Sequence, residues 1–415
     1  MMTEQPSLLP SRLLPQGVVQ KATSRITCMV HHRLDSLVQE CLAELGGCSA
    51  LVEPGRSVRQ LRRPRRFGLP GKTMCLENQP VEVYRITVER DRTRTVMETL
   101  IANVRLDQPG RGTLYSQDLM EFRRADGKSE SFCDETQERS QSVPHEEAET
   151  EPSPIAGQPS GLLHDLSMIT CILSMAGSGA HLASVALELG TCVPVVTLGV
   201  GTGLRDRLGL LRITVPQEKE IVHLLVPSHD AEGIVRILIE EGNLNQPGRG
   251  FVYQAPVSLG LIDTRLRIGP QEHAASIEQI IAAIDGLKNG TAWRKRFVSM
   301  EGDETDDKLR LLSDNREITI LCTEGRAESL VATALDAGAG GATTSRVRRL
   351  AASQIDEGSA ARERSTISVP ASICPTVVAA LLEQVPDADD GQADCVQVLE
   401  SPAQAMKTYA GRVRS

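Results

Sequence analysis

Two copies of a Gly-Arg-Gly turn have residue types and spacing suited to anion binding. The sequence Gln-Pro-Gly-Arg-Gly occurs at 108–112 and again at 246–250. A Gly-x-Gly turn exposes successive backbone N–H groups, and the arginine between the two glycines adds a planar donor fork that fits phosphate or carboxylate. A plain helix-to-strand turn with a solvent-facing arginine is the alternative, and the occurrence at two equivalent places favours binding. The candidate residues are Gly110, Arg111, Gly112, Gly248, Arg249 and Gly250.

A run of basic residues gives a second candidate site, for a partner rather than a small ligand. Residues 56–72 hold six arginines and one lysine and no acidic residue. Such a run in an exposed loop suits an acidic protein surface, a phosphate or anionic lipid headgroups. A solvated loop that binds nothing is an equally good interpretation. The residues singled out for partner binding are Arg59, Arg62, Arg63, Arg65 and Arg66.

Catalytic patterns are sparse. The eight histidines form no His-x-x-x-His pair of metal ligands, and the chain has no Gly-x-Ser-x-Gly nucleophile motif. The glycine-rich stretch at 199–203 lacks the Lys-Ser/Thr of a phosphate-binding P-loop. We therefore predict no catalytic residue and no metal site, and expect a protein that is not an enzyme.

The elements that must position these residues repeat along the chain. The β-branched stretch Ile26–Val30 recurs at Ile169–Leu173 and, more weakly, at Ile318–Cys322. Each stretch is followed by a segment of helical period that ends on a glycine, the residue preferred at a helix C-terminus. These glycines stand at 46, 190 and 338, so the repeat spacing is 144 and then 148 residues. Three tandem copies account for the length of 415 residues.

Within each copy the patterns predict strand, helix, strand, strand, helix and strand. This order is that of the ferredoxin-like unit, which leaves one sheet face for a neighbouring copy to cover. The predicted fold class is α+β, with three tandem ferredoxin-like (β-α-β-β-α-β) domains packed as an intramolecular pseudo-trimer.

The domain boundaries follow from shifts in composition. The first domain, 23–124, includes the arginine-rich loop over 56–80 and follows an N-terminal tail, 1–22. The second domain, 164–297, adds a helix at 276–288, and the third, more degenerate domain occupies 316–415. Acidic linkers are predicted at 125–163 and 298–315.

The composition argues against a nucleic-acid-binding, a membrane-spanning and a secreted protein. The net charge is −9 and aromatic residues are 2% of the chain, so a surface devoted to nucleic acid is not expected. Residues 126–151 alone contribute nine acidic and two basic residues, which leaves the remainder close to neutral. Apolar runs are too short for a membrane-spanning helix, and the N-terminus lacks a signal-peptide pattern. We expect a cytoplasmic protein.

The predicted element order and the Pro-Gly-Arg-Gly-hydrophobic-hydrophobic-Tyr turn together resemble the P-II signal-transduction family. Members of that family form homotrimers, bind adenine nucleotides between subunits and grip partner proteins with a long loop. The resemblance implies a fused trimer that acts as a monomeric chain, with ATP, ADP or AMP as candidate ligands. It places both Gly-Arg-Gly turns on the phosphate-binding turn, and Gly199 and Gly201 at the base of the long loop.

The third copy has Asp387–Ala393 where the other two have the turn. The three clefts are therefore expected to differ, with at most two binding an anion through this motif.

Several functions remain open at this stage. The leading hypothesis is a regulatory protein that senses a nucleotide or small anion and controls a transporter or enzyme of nitrogen or inorganic-carbon metabolism, which could recruit it to a membrane. The second is a slow nucleotide phosphohydrolase, for which Asp263 is the candidate metal-holding carboxylate near Gly248–Gly250. The others are a structural adaptor without ligand binding and an amino-acid-binding module.

Overall fold

The computed structural model describes most of the chain outside its linkers and tails. The described residues are 18–45, 50–64, 72–108, 110–124, 161–190, 192–203, 218–263, 314–350, 361–384, 396–403 and 405–408. The predicted helix at 276–288 lies outside these residues, as do Arg65, Arg66 and nearly all of both predicted acidic linkers. We refer to residues 18–124, 161–263 and 314–408 as segments 1, 2 and 3.

Segment 1 opens with a strand that begins inside the predicted N-terminal tail. Its elements are β1 Val18–His31, α1 Asp35–Glu44, β2 Ala50–Pro64, β3 Lys72–Glu89, α2 Thr93–Val104 and β4 Gly112–Arg124. Helix α2 forms because Val96, Leu100 and Val104 recur at every fourth position and are buried together. It ends where Arg105 adopts the left-handed conformation at the C-cap.

Segments 2 and 3 contribute the remaining elements. Segment 2 contains β5 Leu166–Leu173, α3 Ser178–Leu189, β6 Val195–Gly203, β7 Glu218–Pro227, α4 Ser228–Glu241, β8 Gly250–Val257 and β9 Leu259–Leu261. Segment 3 contains β10 Asn315–Thr323, α5 Ala327–Asp336, β11 Gly341–Leu350, β12 Ala361–Pro370, α6 Cys374–Glu383, β13 Gln397–Ala403 and β14 Ala405–Thr408.

The strands of all three segments are hydrogen-bonded into one sheet. Among the described residues it has 14 strands, with the order β11-β12-β10-β13-β4-β1-β3-β2-β6-β7-β5-β8-β14, and β9 pairs with β4. Each segment border is crossed by an antiparallel ladder: β13 pairs with β4, β2 with β6, and β14 with β8. Strand β11 also pairs with both β2 and β6.

The predicted fold class is therefore wrong. The segments do not form three tandem ferredoxin-like domains that pack as a pseudo-trimer, because their strands continue into a single antiparallel sheet. The physical reason lies in the edge strands, whose unpaired N–H and C=O groups need partners when they are buried. Sequence periodicity identifies a strand, but it does not show which other strand will pair with its edge.

The predicted long loop at 56–80 is instead largely a β-hairpin. Strands β2 and β3 pair without interruption from Ala50–Ile86 to Pro64–Lys72. Only the tip, 65–71, lies outside the described residues. Strand β1 pairs with β3 at 81–89, and β6 pairs with β2 at 55–57, so residues 58–64 and 72–80 form a two-stranded ribbon beyond these ladders. We call these residues the arginine ribbon.

The two faces of the sheet differ in polarity. In β1, Ile26, Cys28 and Val30 point to the helices and join an apolar cluster with residues of α1 and α2. The alternate residues Arg25 and Thr27 point to the opposite face and are also buried. Because side chains of a strand alternate between faces, one sheet supplies both an apolar core under the helices and a polar interior.

Candidate functional site

The two Gly-Arg-Gly turns have the same backbone form. Each connects a helix to the following strand, α2 to β4 and α4 to β8. Gly110 and Gly248 have φ values of 84° and 74°, in the region that glycine tolerates best. The N–H of Arg111 donates to the carbonyl of Gln108, and that of Arg249 to the carbonyl of Gln246. The sequence repeat therefore corresponds to a repeated local structure.

The second glycine of each turn is also required by packing. A Cβ atom on Gly112 would lie 2.3 Å from the carbonyl oxygen of Met29, and one on Gly250 would lie 2.0 Å from that of Ile172. Both values are far below any real Cβ contact. These glycines thus allow β4 and β8 to approach β1 and β5, whether or not a ligand binds.

A buried carboxylate lies at the first turn. Asp263, at the end of the described part of segment 2, is 4% exposed. The N–H of Gly110 donates to its Oδ1 at 2.9 Å, and Nη2 of Arg59 lies 2.5 Å from its Oδ2. The backbone N–H of Asp263 donates to Oγ1 of Thr113 at 3.2 Å. An anion that belongs to the chain thus contacts the turn predicted to bind one.

The side chain of Arg111 has a local partner. Its Nε donates to the carbonyl of Val104 at 2.8 Å, at the C-terminus of α2. The last carbonyls of a helix lack intrahelical donors, so this bond satisfies one of them. In this arrangement Arg111 stabilises the helix end.

The second turn is surrounded by basic and hydroxyl groups. Nε of Arg249 donates to Oε1 of Gln246 at 3.3 Å, and its Nη1 contacts the sulfur of Met175. The carbonyl of Arg249 accepts from the N–H of Ser174, whose Oγ accepts from Nζ of Lys219, both at 3.0 Å. Within the described part of the chain, no carboxylate pairs with Arg249. Lys219 thus lies beside this turn through Ser174, which binds the backbone of Arg249, while the guanidinium of Arg249 contacts Gln246 and Met175.

Gly199 and Gly201 lie in strand β6, where the structure brings three strands together. Gly201 pairs with Thr343 of β11. A Cβ on Gly199 would lie 2.9 Å from Cγ2 of Thr343, and a Cβ on Gly201 would lie 2.3 Å from Cε of Lys219. The absence of side chains here gives β11 and Lys219 room to approach β6.

The predicted partner-binding arginines divide into three groups. Arg59 makes the internal ion pair with Asp263, and its neighbour Arg56 pairs with Glu220 at 2.5 Å. Arg62 and Arg63 are strand residues of the arginine ribbon. Arg65 and Arg66 lie outside the described residues. The base of the ribbon is thus fixed to segment 2 by two ion pairs.

Sequence reasoning missed a buried group of charged residues in the polar interior. Oε2 of Glu53 accepts from Nη1 of Arg85 at 2.6 Å and from Nη2 of Arg364 at 3.0 Å. Burial alone would raise the pKa of Glu53, but Arg364 and Arg85 hold it at about 2. Glu53 therefore stays ionised and joins segment 1 to segment 3.

A second part of this group lies around Arg25. Its guanidinium donates to Oε1 of Gln117 at 3.0 Å and to Oε1 of Glu317 at 3.3 Å. Burial opposes ionisation of Glu317, yet Arg25 and a hydrogen bond from Tyr253 lower its pKa. We call Arg25, Glu53, Arg85, Glu317 and Arg364 the central charge cluster. A charged residue directly before the apolar part of a strand, as Arg25 stands before Ile26, is the signal that could have indicated it.

His223 lies against the central charge cluster. Its Nε2 is 3.1 Å from Oγ1 of Thr197, and burial lowers the pKa of the imidazole to about 3, with Arg85 and Arg364 adding to the effect. Glu53 and Glu317 act in the opposite direction. The imidazole is therefore neutral at physiological pH.

Comparison with known proteins gives no family assignment. No protein-family model matches the chain, and no curated protein matches it. No helix in the described ranges is long and apolar enough to cross a membrane. The resemblance to the P-II family therefore stays a prediction.

Proposed function

We propose that the protein is a regulatory protein that binds the phosphate group of an adenine nucleotide, or a similar small anion, at the turn Gly248–Gly250. One observation carries the proposal: Ser174 binds both the backbone carbonyl of Arg249 and the ammonium group of Lys219, beside a turn with a left-handed glycine. ATP, ADP and AMP are the ligands that the P-II resemblance favours. The response would pass to a partner protein.

Physical chemistry supports an anion at this place. Arginine offers a planar fork of donors, lysine a compact charge and serine a hydroxyl, and together they match the oxygens of phosphate. Gly248, with its left-handed backbone, is exposed on the turn. Arg249 pairs with no described carboxylate, so an anion there would not have to displace one.

The arginine ribbon is the proposed contact for the partner. A two-stranded ribbon is marginally stable alone. Beyond the described ladders of β2 with β6 and of β3 with β1, its strand edges can pair with a partner strand. The ribbon contains Arg62 and Arg63, and Arg65 and Arg66 follow them in the sequence. Because these side chains are positively charged, the proposed partner has an acidic surface.

The pathway and cellular place follow from the resemblance alone. We propose that the chain acts as a monomer in the cytoplasm and controls a transporter or enzyme of nitrogen or inorganic-carbon metabolism, with recruitment to the membrane through a transporter partner.

A structural adaptor without ligand binding is the second candidate. Asp263 already contacts the first turn, and packing alone explains Gly112 and Gly250. The phosphohydrolase hypothesis is less supported, because Asp263 lies at the first turn and not at the second, where that hypothesis needs a carboxylate.

Calorimetric titration with ATP and with ADP distinguishes the two candidates. We expect the wild-type protein to bind and Arg249→Ala to bind at least about tenfold more weakly, since a charge-assisted hydrogen bond contributes about 1.5–3 kcal/mol. Arg94→Ala is the matched control, because Arg94 is an exposed arginine on α2 that pairs with Glu98. Equal binding by the wild type and Arg249→Ala, or no binding by either, would contradict the proposed anion site and favour the structural adaptor.

A further inference from the structure

We infer that the carboxylate of Asp263 is an internal ligand of the first Gly-Arg-Gly turn, and that it closes an anion site which accepts a phosphate group when Asp263 is removed or withdraws. The inference rests on the proposed function only for the class of ligand, a phosphate-bearing anion. The first turn would bind a phosphate group only after Asp263 leaves it, whereas the second turn would bind one directly.

Both oxygens of Asp263 make the contacts that an external anion would make. Oδ1 accepts from the backbone N–H of Gly110, and Oδ2 faces the guanidinium of Arg59. Backbone N–H groups of a glycine turn combined with an arginine are a common arrangement for binding phosphate or carboxylate. The carboxylate is 4% exposed, so burial without these partners would be costly.

The donors around Asp263 include one that the carboxylate does not use. Nε of Arg59 is buried and has no hydrogen-bond partner. A phosphate group offers more acceptor oxygens than a carboxylate does and could satisfy such an atom. An external phosphate could therefore replace the internal carboxylate with a gain in hydrogen bonds.

The segment that carries Asp263 is a short strand. Strand β9 pairs with β4 over three residues, Leu259 to Leu261, and Gly260 exchanges two backbone bonds with Leu163 on its other side. Asp263 itself follows the strand, where its N–H donates to Thr113 and its carbonyl accepts from the N–H of Val193. The carboxylate of Asp263 is tethered, so it competes with free ligand at a high effective concentration. Local opening of the short strand β9 would lower this effective concentration.

Occupancy of the first turn is linked to the arginine ribbon. Arg59 belongs to β2 and stands next to Val58, whose N–H donates to the carbonyl of Pro194 at 3.2 Å. Withdrawal of Asp263 removes the ionic partner of Arg59 at the base of the ribbon. Ligand binding at the first turn can thus change how firmly the ribbon is held.

Four full-length proteins test the inference: wild type, Arg249→Ala, Asp263→Ala/Arg249→Ala and Asp263→Asn/Arg249→Ala. The probes are ADP and inorganic pyrophosphate, measured by calorimetry. In the Arg249→Ala background the second turn is expected to bind at least about tenfold more weakly. We expect Asp263→Ala to restore binding of one equivalent, at least about tenfold tighter than Arg249→Ala alone. The isosteric Asp263→Asn keeps an acceptor for Gly110 and should restore less.

The result that overturns the inference is a folded Asp263→Ala/Arg249→Ala protein that binds no better than Arg249→Ala. If Asp263→Ala does not fold, Thr113→Val/Arg249→Ala takes its place, because it removes the hydroxyl that holds the backbone of Asp263. A folded Thr113→Val/Arg249→Ala protein without a gain in binding overturns the inference equally. The proposed function is tested separately by the wild type against Arg249→Ala.

Discussion

At the scale of single residues, the central charge cluster consists of acidic and basic groups that pair with one another in the interior. Glu53 accepts from two guanidinium groups through one oxygen, and its low pKa shows that Coulomb attraction exceeds the cost of burial. His223, in contrast, meets an environment that disfavours its charged form. Both groups bind protons less readily in the folded chain than in the unfolded chain, so acid should destabilise the fold.

The pH dependence of stability should therefore depend on His223. Its pKa is about 3 in the folded protein against 6.5 for an ordinary histidine. As pH falls from about 6.5 toward 3, the unfolded chain takes up a proton that the folded chain excludes, so the free energy of unfolding decreases. Glu53, with a pKa of about 2 against 4.5, adds a further decrease only below about pH 4.5.

Chemical denaturation between pH 7 and 4.5 measures this contribution. We expect His223→Gln to flatten the curve in that window, while His181→Gln, on the exposed surface of α3, leaves the slope unchanged. An equal slope in the wild type and His223→Gln would contradict the assignment of a neutral, buried imidazole.

At the scale of elements, glycines decide where strands of different segments can meet. Strand β6 pairs with β11 between Val200–Thr344 and Gly203–Gly341. A side chain in β6 is tolerated only where β11 leaves space. The glycines of this stretch resemble a phosphate loop in sequence, yet their surroundings show that they serve contact between strands.

Gly199→Ala tests this role against Gly203→Ala. The new Cβ at 199 would lie 2.9 Å from Thr343 Cγ2 and 3.2 Å from the Thr344 carbonyl, whereas at 203 the nearest atom is 3.8 Å away. We expect Gly199→Ala to lower the free energy of unfolding by about 1–3 kcal/mol, as overpacking does, and Gly203→Ala to change it little. Thermal unfolding measures both, and equal stability of the two variants would argue against the steric role.

At the scale of the whole molecule, one sheet and one charge cluster join the segments. The ladders β13–β4, β2–β6 and β14–β8 cross the segment borders. Glu53 of segment 1 binds Arg364 of segment 3, and Arg25 of segment 1 binds Glu317 of segment 3. No segment can unfold without exposing paired strand edges and buried charges of another.

We therefore expect a single cooperative unfolding transition that Glu53→Gln shifts as a whole. Replacing this carboxylate with a neutral amide leaves the guanidiniums of Arg85 and Arg364 without their shared negative charge, and loss of one charge of a buried ion pair costs about 3–5 kcal/mol. The exposed Glu98→Gln, which breaks the i,i+4 pair with Arg94, is the control and should cost less than about 0.5 kcal/mol. Separate transitions for different segments, or a stable Glu53→Gln, would show that the cluster does not join them.

Much of the local structure could be predicted from the sequence, since local order depends on near neighbours. The β-branched stretch Ile26–Val30 places part of β1, and the glycines at 110 and 112 place the turn before β4. Which strand edges pair with one another could not be predicted from the sequence. The fold class predicted from the local order of elements was wrong for that reason. The ladder between β11 and β6 depends on space that only the assembled strands define.

In the candidate site too, local features could be predicted from the sequence, whereas contacts between distant residues could not. The sequence alone determined that Gly110–Gly112 and Gly248–Gly250 would form matching turns, because glycine conformation and helix termination are local properties. Only the tertiary structure decided that Asp263, 153 residues away from Gly110, would bind the first turn while Ser174 and Lys219 lie beside the second. The physical reason is that a carboxylate's partner depends on which strand edges meet, and edge pairing is set by burial and hydrogen bonding across the whole sheet.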